Sequence, residues 1–147
     1  MTTQPTGSPI IPGLRYERAQ SAIRFLCEAF GFERHLVVGG EGPEDVAHAQ
    51  LTLGSGMVML GTRRSQGDYD KQMRLPREAG GCTQGLYVVV DEVDHHYARA
   101  KAAGAEILNA PRDNEQSGRS YTCRDCEGHV WTFGAYNPWS PKRPDHS

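Results

Sequence analysis

Apolar and polar positions along the chain follow two periods, one helical and one alternating. Between residues 19 and 30, Ala19, Ala22, Ile23, Leu26 and Phe30 fall on one stripe, which predicts a helix that buries a single face. Gly31 follows as a left-handed stop. Ahead of this helix, residues 10–16 predict a strand that Pro12 and Gly13 interrupt, as at an edge or a bulge. Behind it, residues 33–38 predict a second strand and residues 46–53 a third. In the third strand Val46, His48, Gln50 and Thr52 share one face and Ala47, Ala49, Leu51 and Leu53 the other. The second set is expected to pack on helices, and the first to face a polar surface or a cavity. Gly54-Ser55-Gly56 then turns the chain into an apolar strand that ends at Gly61.

The same series occurs again. An offset of 73 carries residues 48–63 onto residues 121–136, and the helix ending AFGFE (29–33) onto AAGAE (102–106). A fixed internal offset marks a repeated supersecondary unit, here strand, helix, strand, strand, strand. In the second copy residues 86–90 are almost continuously apolar, as expected of a strand covered on both faces. Asp91 is the expected N-cap of the next helix, and Asp94 puts a carboxylate in its first turn. His95 and His96 are adjacent on that helix, point about 100° apart and read as a solvated face. Residues 105–109 predict a strand and residues 111–118 a polar loop. In the last strand His129, Trp131 and Phe133 alternate onto the face that packs on a helix.

The pieces EAFGFE, HAQLTLG, KAAGAEI and CRDCEGHVWTFG carry a resemblance over about residues 10–136. The chain resembles the glyoxalase/bleomycin-resistance/dioxygenase superfamily, also called vicinal oxygen chelate proteins. The last piece is similar to that family's Asp-Pro-x-Gly-His-x-Trp-x-Phe ending, with Cys126 where proline is common. The resemblance implies an α+β fold of two repeated βαβββ modules, 10–62 and 83–136, forming an open, curled mixed sheet. It also implies a homodimer. In the family's enzymes a divalent ion sits on the concave face, held by two ligands from each module. Those positions fall here on Ile11, Met59, Gly85 and Thr132, none of which is a useful donor for a hard ion. The resemblance therefore points to a relative without metal or cofactor that binds a small organic molecule. The alternative is an atypical lyase, isomerase or dioxygenase of the same superfamily with a non-standard metal site.

Composition narrows the field further. At 147 residues and 37% apolar, the chain suits a single domain. A formal net charge of −2 supplies no basic field, so neither nucleic acid nor a membrane surface is an expected partner. No apolar run approaches the roughly 18 residues of a spanning helix, and the first residues lack the pattern of a signal peptide. A cytoplasmic protein is expected. Cys27, Cys82, Cys123 and Cys126 are too few and too irregular for a disulfide scaffold. Cys123-x-x-Cys126 has no second pair to complete a structural zinc site and reads as two unrelated thiols. Residues 1–9 and the Pro-rich residues 137–147 are expected to be loose, with Trp139 able to dock on a partner. Residues 63–82 have mixed charge and little periodicity, which predicts a mobile connector; Arg63, Arg64 and Tyr69 are its possible lid contacts.

Strand alternation and the repeat together define an expected concave face. The first copy contributes Arg15, His48, Gln50 and Thr52, with Met57 and Met59 as an apolar floor. The second contributes Tyr87 and Val89, then Arg119, Tyr121 and Cys123, then Val130 and Thr132. The predicted ligand-binding set is Arg15, His48, Gln50, Met59, Tyr87, Arg119, Tyr121 and Thr132. Two arginines among hydrogen-bonding and apolar groups suit a small organic molecule, an anion included. His48 can exchange a proton near neutral pH, which leaves acid–base catalysis open. Pairing of Arg15 or Arg119 with Glu17 or Asp125 would withdraw them from the cleft, and a dimer with no ligand at all is the third class.

Overall fold

Eight strands form two sheets of four in the computed structural model, which describes residues 7–116 and 118–140. The first sheet is built from β1 (Gly13–Tyr16), β2 (Glu33–Gly39), β3 (Val46–Leu53) and β4 (Gly56–Thr62), in the order β1-β4-β3-β2. The second repeats that order as β5-β8-β7-β6, with β5 (Gly85–Val89), β6 (Glu106–Asn114), β7 (Gly118–Arg124) and β8 (Val130–Gly134). In each sheet the first strand pairs parallel with the last and the other pairs are antiparallel. The architecture is the expected α+β one of two open mixed sheets. Each first strand leads into a helix, α1 (Ala19–Phe25) or α3 (Val93–Ala102). The short α2 (Pro76–Ala79) lies between the copies.

One core serves both sheets. The expected stripe of α1 is fully buried, and its chain continues through a π-turn, Leu26–Phe30, to Gly31 at φ 90°. Phe30 reaches the far sheet, 5.3 Å from Trp131 and 4.7 Å from Phe133 between ring centroids. Helix-facing residues of both sheets thus join a single cluster, and among the described residues no helix or sheet layer covers the opposite face of either sheet. Tyr87 and Val89 of β5 are 43% and 40% exposed, so this strand is covered on one face and not on two.

Several local expectations are corrected by packing. Val46 is buried in the core instead of sharing the face of His48, because the pairing of β2 with β3 shifts between Val38 and Gly39. The strand β6 runs through the expected loop; Pro111 fits because it lies on an edge strand where the register skips from Asn109 to Arg112. Glu92, not Asp91, is the N-cap of α3. His96 is partly buried, with Nε2 2.8 Å from the Phe30 carbonyl oxygen and Nδ1 2.6 Å from the Tyr121 hydroxyl. It ties the two halves together and is not a solvated residue. The connector is likewise held: Leu75 is 4% exposed, and Asp70, in a 3-10 turn Asp70–Gln72, is buried against Arg15. Residues 1–6 and 141–147, parts of the ends expected to be loose, lie outside the described residues.

The turn at residues 125–129, DCEGH, clasps one half to the other. Asp125 accepts hydrogen bonds from the Tyr16 hydroxyl (2.6 Å), the Trp131 indole N–H (3.0 Å) and the backbone N–H of Glu127 and His129. Its buried carboxylate is thereby satisfied on both oxygens. Glu127 accepts from the backbone N–H groups of Glu17 and Arg18, just ahead of α1, and His129 donates from Nε2 to the Arg15 carbonyl. At the other end of the same helix Arg99 donates to the carbonyls of Glu28 and Cys27.

Candidate functional site

The uncovered faces of the two sheets are the candidate site, and pairing registers decide which side chains stand on them. In the first sheet His48 and Gln50 project away from the core that Ala49 and Leu51 enter. Gln50 pairs with Met59 across β4 and with Leu36 across β2, and His48 pairs with Val38. Directly paired residues share a face. His48 and Gln50 therefore stand in an apolar surround of Met57, Met59, Leu36 and Val38, the last two 44% and 45% exposed. Gln50 Nε2 and His48 Nε2 are 3.1 Å apart, so the amide and the imidazole orient each other.

Arg15 alternates with the buried Leu14 and Tyr16 and also points to this face. Its charge is already answered. Nε donates to Asp70 Oδ1 at 2.7 Å, and the Tyr69 ring lies over the guanidinium at 4.8 Å. The connector thus reaches the face through Tyr69, expected as a possible lid contact, and through Asp70, which its lack of periodicity concealed. Arg63 and Arg64, by contrast, pair with Glu78 and Asp45.

In the second sheet Tyr87 and Thr132 are neighbours across the parallel pair, and Thr132 Oγ1 lies 2.8 Å from Thr122 Oγ1. The Tyr87 hydroxyl donates to the Tyr136 carbonyl at 2.6 Å. Burial of this phenol raises its pKa above the ordinary tyrosine value, so it stays a neutral donor.

Arg119, Tyr121 and Cys123 were expected here and lie on the opposite side. Tyr121 and Cys123 are fully buried against α3, and burial pushes the Cys123 thiol up to about 12. Arg119 forms a two-pronged ion pair with Asp94 of α3 and a further one with Asp113. The cause is turn length. Two residues, Gly54 and Ser55, separate β3 from β4, whereas five, 125–129, separate β7 from β8. Leu60 and Phe133 are 73 apart, but their partners Ala49 and Tyr121 are 72 apart. One offset applied to both strands slips β7 by one residue, and a one-residue slip flips every side chain. Thr122 is the residue the slip hid, and the longer turn is the signal that could have found it.

The positions to which the resemblance assigns metal ligands do not fit a hard ion. Ile11 and Gly85 offer no donor, Met59 only a thioether, and the Thr132 hydroxyl is engaged with Thr122. Among the described residues no three His, Cys, Asp or Glu side chains converge. Among them also, no helix is long and apolar enough to cross a membrane.

Comparison with known proteins agrees with this architecture. Residues 11–133 match the family model described as Glyoxalase/Bleomycin resistance protein/Dioxygenase superfamily. An uncharacterized protein of Mycobacterium bovis is 33% identical over 124 residues, covering 84% of this chain and 80% of its own length. A Mycobacterium tuberculosis protein, also uncharacterized, is 33% identical over the same share of this chain and 71% of its own. The crystal structure of TioX from Micromonospora sp. ML1 superposes with a TM-score of 0.66 at 34% identity, covering 86% of this chain and 97% of that one. A mutant of the fosfomycin resistance protein FosX from Listeria monocytogenes, complexed with Mn(II) and 1S,2S-dihydroxypropylphosphonic acid, shares the fold. Its TM-score is 0.62 at 18% identity, over 94% of each chain.

Proposed function

This chain belongs to the glyoxalase/bleomycin resistance protein/dioxygenase superfamily, and within it we propose that it binds a small organic molecule in clefts formed between two copies, without a metal ion. The observation that carries this reading is the placement of the open faces. Both sheets direct one face into a shared core, so each chain presents two half-exposed faces and encloses neither. A cleft that buries most of a ligand needs two walls. The first sheet of one copy against the second sheet of another supplies them.

The residues proposed to contact the ligand are Arg15, His48, Gln50 and Met59 on one wall, with Tyr87 and Thr132 on the other. Arg119 and Tyr121 are not among them. With Arg15 compensated by Asp70, the site offers neutral hydrogen bonds on an apolar floor, which favours an uncharged ligand over an anion.

Thermal denaturation of dialysed protein tests the reading. An uncharged organic ligand found by screening raises the midpoint, His48→Ala reduces that rise, and Mn(II) or Ni(II) gives none. A stoichiometric metal ion in the purified protein, or stabilisation by divalent ions alone, would overturn it.

A further inference from the structure

The two walls share a feature that narrows the ligand further. Side chains on a strand ordinarily stand away from the sheet. Tyr87 lies down across it: a Cβ on Gly134 would sit 2.6 Å from the Tyr87 hydroxyl oxygen and 3.1 Å from its ring carbon Cζ. The missing side chain at Gly134 is what lets the phenol recline, and the bond from its hydroxyl to the Tyr136 carbonyl pins it there. The ring remains 43% exposed. Its neighbours on this face are Val89 and the Thr122–Thr132 hydroxyl pair, none of them charged.

The other wall repeats the arrangement with different residues. The Tyr69 ring and the Arg15 guanidinium are stacked at 4.8 Å. The stack rests on glycines: the Tyr69 hydroxyl is 3.3 Å from a Cβ position at Gly13, and Arg15 Nη1 is 3.6 Å from one at Gly61. Tyr69 is 56% exposed. Each sheet therefore has flat π-surface laid over glycine, and the one charge within either stack, Arg15, is answered by Asp70, while the exposed Glu33 and Arg112 lie on the outer edge strands of these faces.

We propose that the ligand is a planar, conjugated and uncharged ring system, stacked between Tyr87 of one copy and the Tyr69–Arg15 pair of the other. This inference rests on the cleft reading above. Offset stacking rewards flat partners beyond their buried area, so shape and not hydrophobicity alone sets the preference. The Thr122 and Thr132 hydroxyls and the His48–Gln50 pair would contact polar atoms at the rim of such a ring.

Isothermal titration with phenazine, which is planar and neutral, and with 1-adamantanol, which is apolar and globular, separates the two ideas. The expected result is tighter binding of phenazine with hypochromism of its absorbance band. Tyr87→Leu, which keeps apolar bulk, should weaken phenazine roughly tenfold while changing 1-adamantanol little, and Tyr87→Phe should retain most of the binding. Tyr69→Leu should act in the same direction. Equal affinity for both probes, or indifference of phenazine to Tyr87→Leu and Tyr69→Leu, would overturn the planar preference and leave the cleft standing. Binding of neither probe by the wild-type protein would overturn both.

Discussion

At the scale of the residue, His96 shows how one side chain acquires a role that its neighbours in the sequence conceal. The Phe30 carbonyl can only accept, so Nε2 carries the proton and Nδ1 is free to accept the Tyr121 O–H. Burial lowers the imidazole's pKa below its ordinary value, with Arg99 and His95 acting in the same sense and the Phe30 carbonyl opposing them. Tyr121, itself pushed up by burial, is the remaining titratable group against it. An unfolded chain takes up this proton near pH 6.5, the folded chain only at lower pH. Between those limits the unfolded state binds more protons, so stability is full above about pH 6.5 and falls as pH drops through the folded value. Urea denaturation at pH 7.5 and 5.5 should show the loss, no more than about 1.4 kcal/mol per pH unit from this group. In His96→Asn the difference between the two pH values should shrink; an unchanged difference would assign it to the other histidines. Sequence made His95 and His96 look alike, because nothing local says that the carbonyl at the end of another helix will lie beside one of them. Tyr121 and Thr122 pose the same difficulty, since which of them meets α3 depends on a turn several residues away.

At the scale of the element, α1 is a helix whose ends are completed by distant residues. No side chain of its own N-cap residue, Arg18, caps it. Glu44 from the β2–β3 loop accepts from the Ser21 N–H, and Glu127 of the other half accepts from Glu17 and Arg18. Arg99 serves the last carbonyls. Carboxylates at the start and a guanidinium at the end both complement the macrodipole. Glu127→Ala and Arg99→Ala should each cost about 1 kcal/mol in chemical denaturation, and the double variant about the sum, because the sites are at opposite ends. A cost near zero for Glu127→Ala would mean that water replaces it fully. The stripe that buries α1 was legible from spacing alone, while its caps were not, since they come from a loop beyond β2 and from the second copy of the repeat. The connector failed to declare itself for a related reason. Its anchors, the ion pairs of Arg64, Asp70 and Arg77 and the buried Leu75, are too scattered to make a period. Asp70→Asn leaves Arg15 without its partner and should cost roughly 1–3 kcal/mol. It should also speed tryptic cleavage at Lys71 and Arg74, and an unchanged cleavage rate would show that Leu75 and the other ion pairs hold the strap without it.

At the scale of the whole molecule, the internal repeat conveyed the fold because both copies keep strand order and helix position, even where their hairpins differ in length. It could not convey which faces meet, because that depends on how the two sheets share one core. The proposed clefts, first sheet of one chain against second sheet of the other, come as an equivalent pair in a two-fold dimer. Sedimentation should therefore find a dimer at micromolar concentration. A mixing experiment goes further. His48→Ala damages only the first wall and Tyr87→Leu only the second, so each homodimer has two impaired clefts. After the two variants are unfolded together and refolded as an equal mixture, random pairing makes about half of the dimers mixed. One cleft of each mixed dimer joins the intact first sheet of one variant to the intact second sheet of the other, so about a quarter of all clefts should bind at wild-type affinity. A cleft contained within one chain would predict no recovery at all, because every chain in the mixture carries one damaged wall. Titration of the refolded mixture with phenazine, or with an organic ligand found by screening, distinguishes a quarter from none without needing to know the natural ligand.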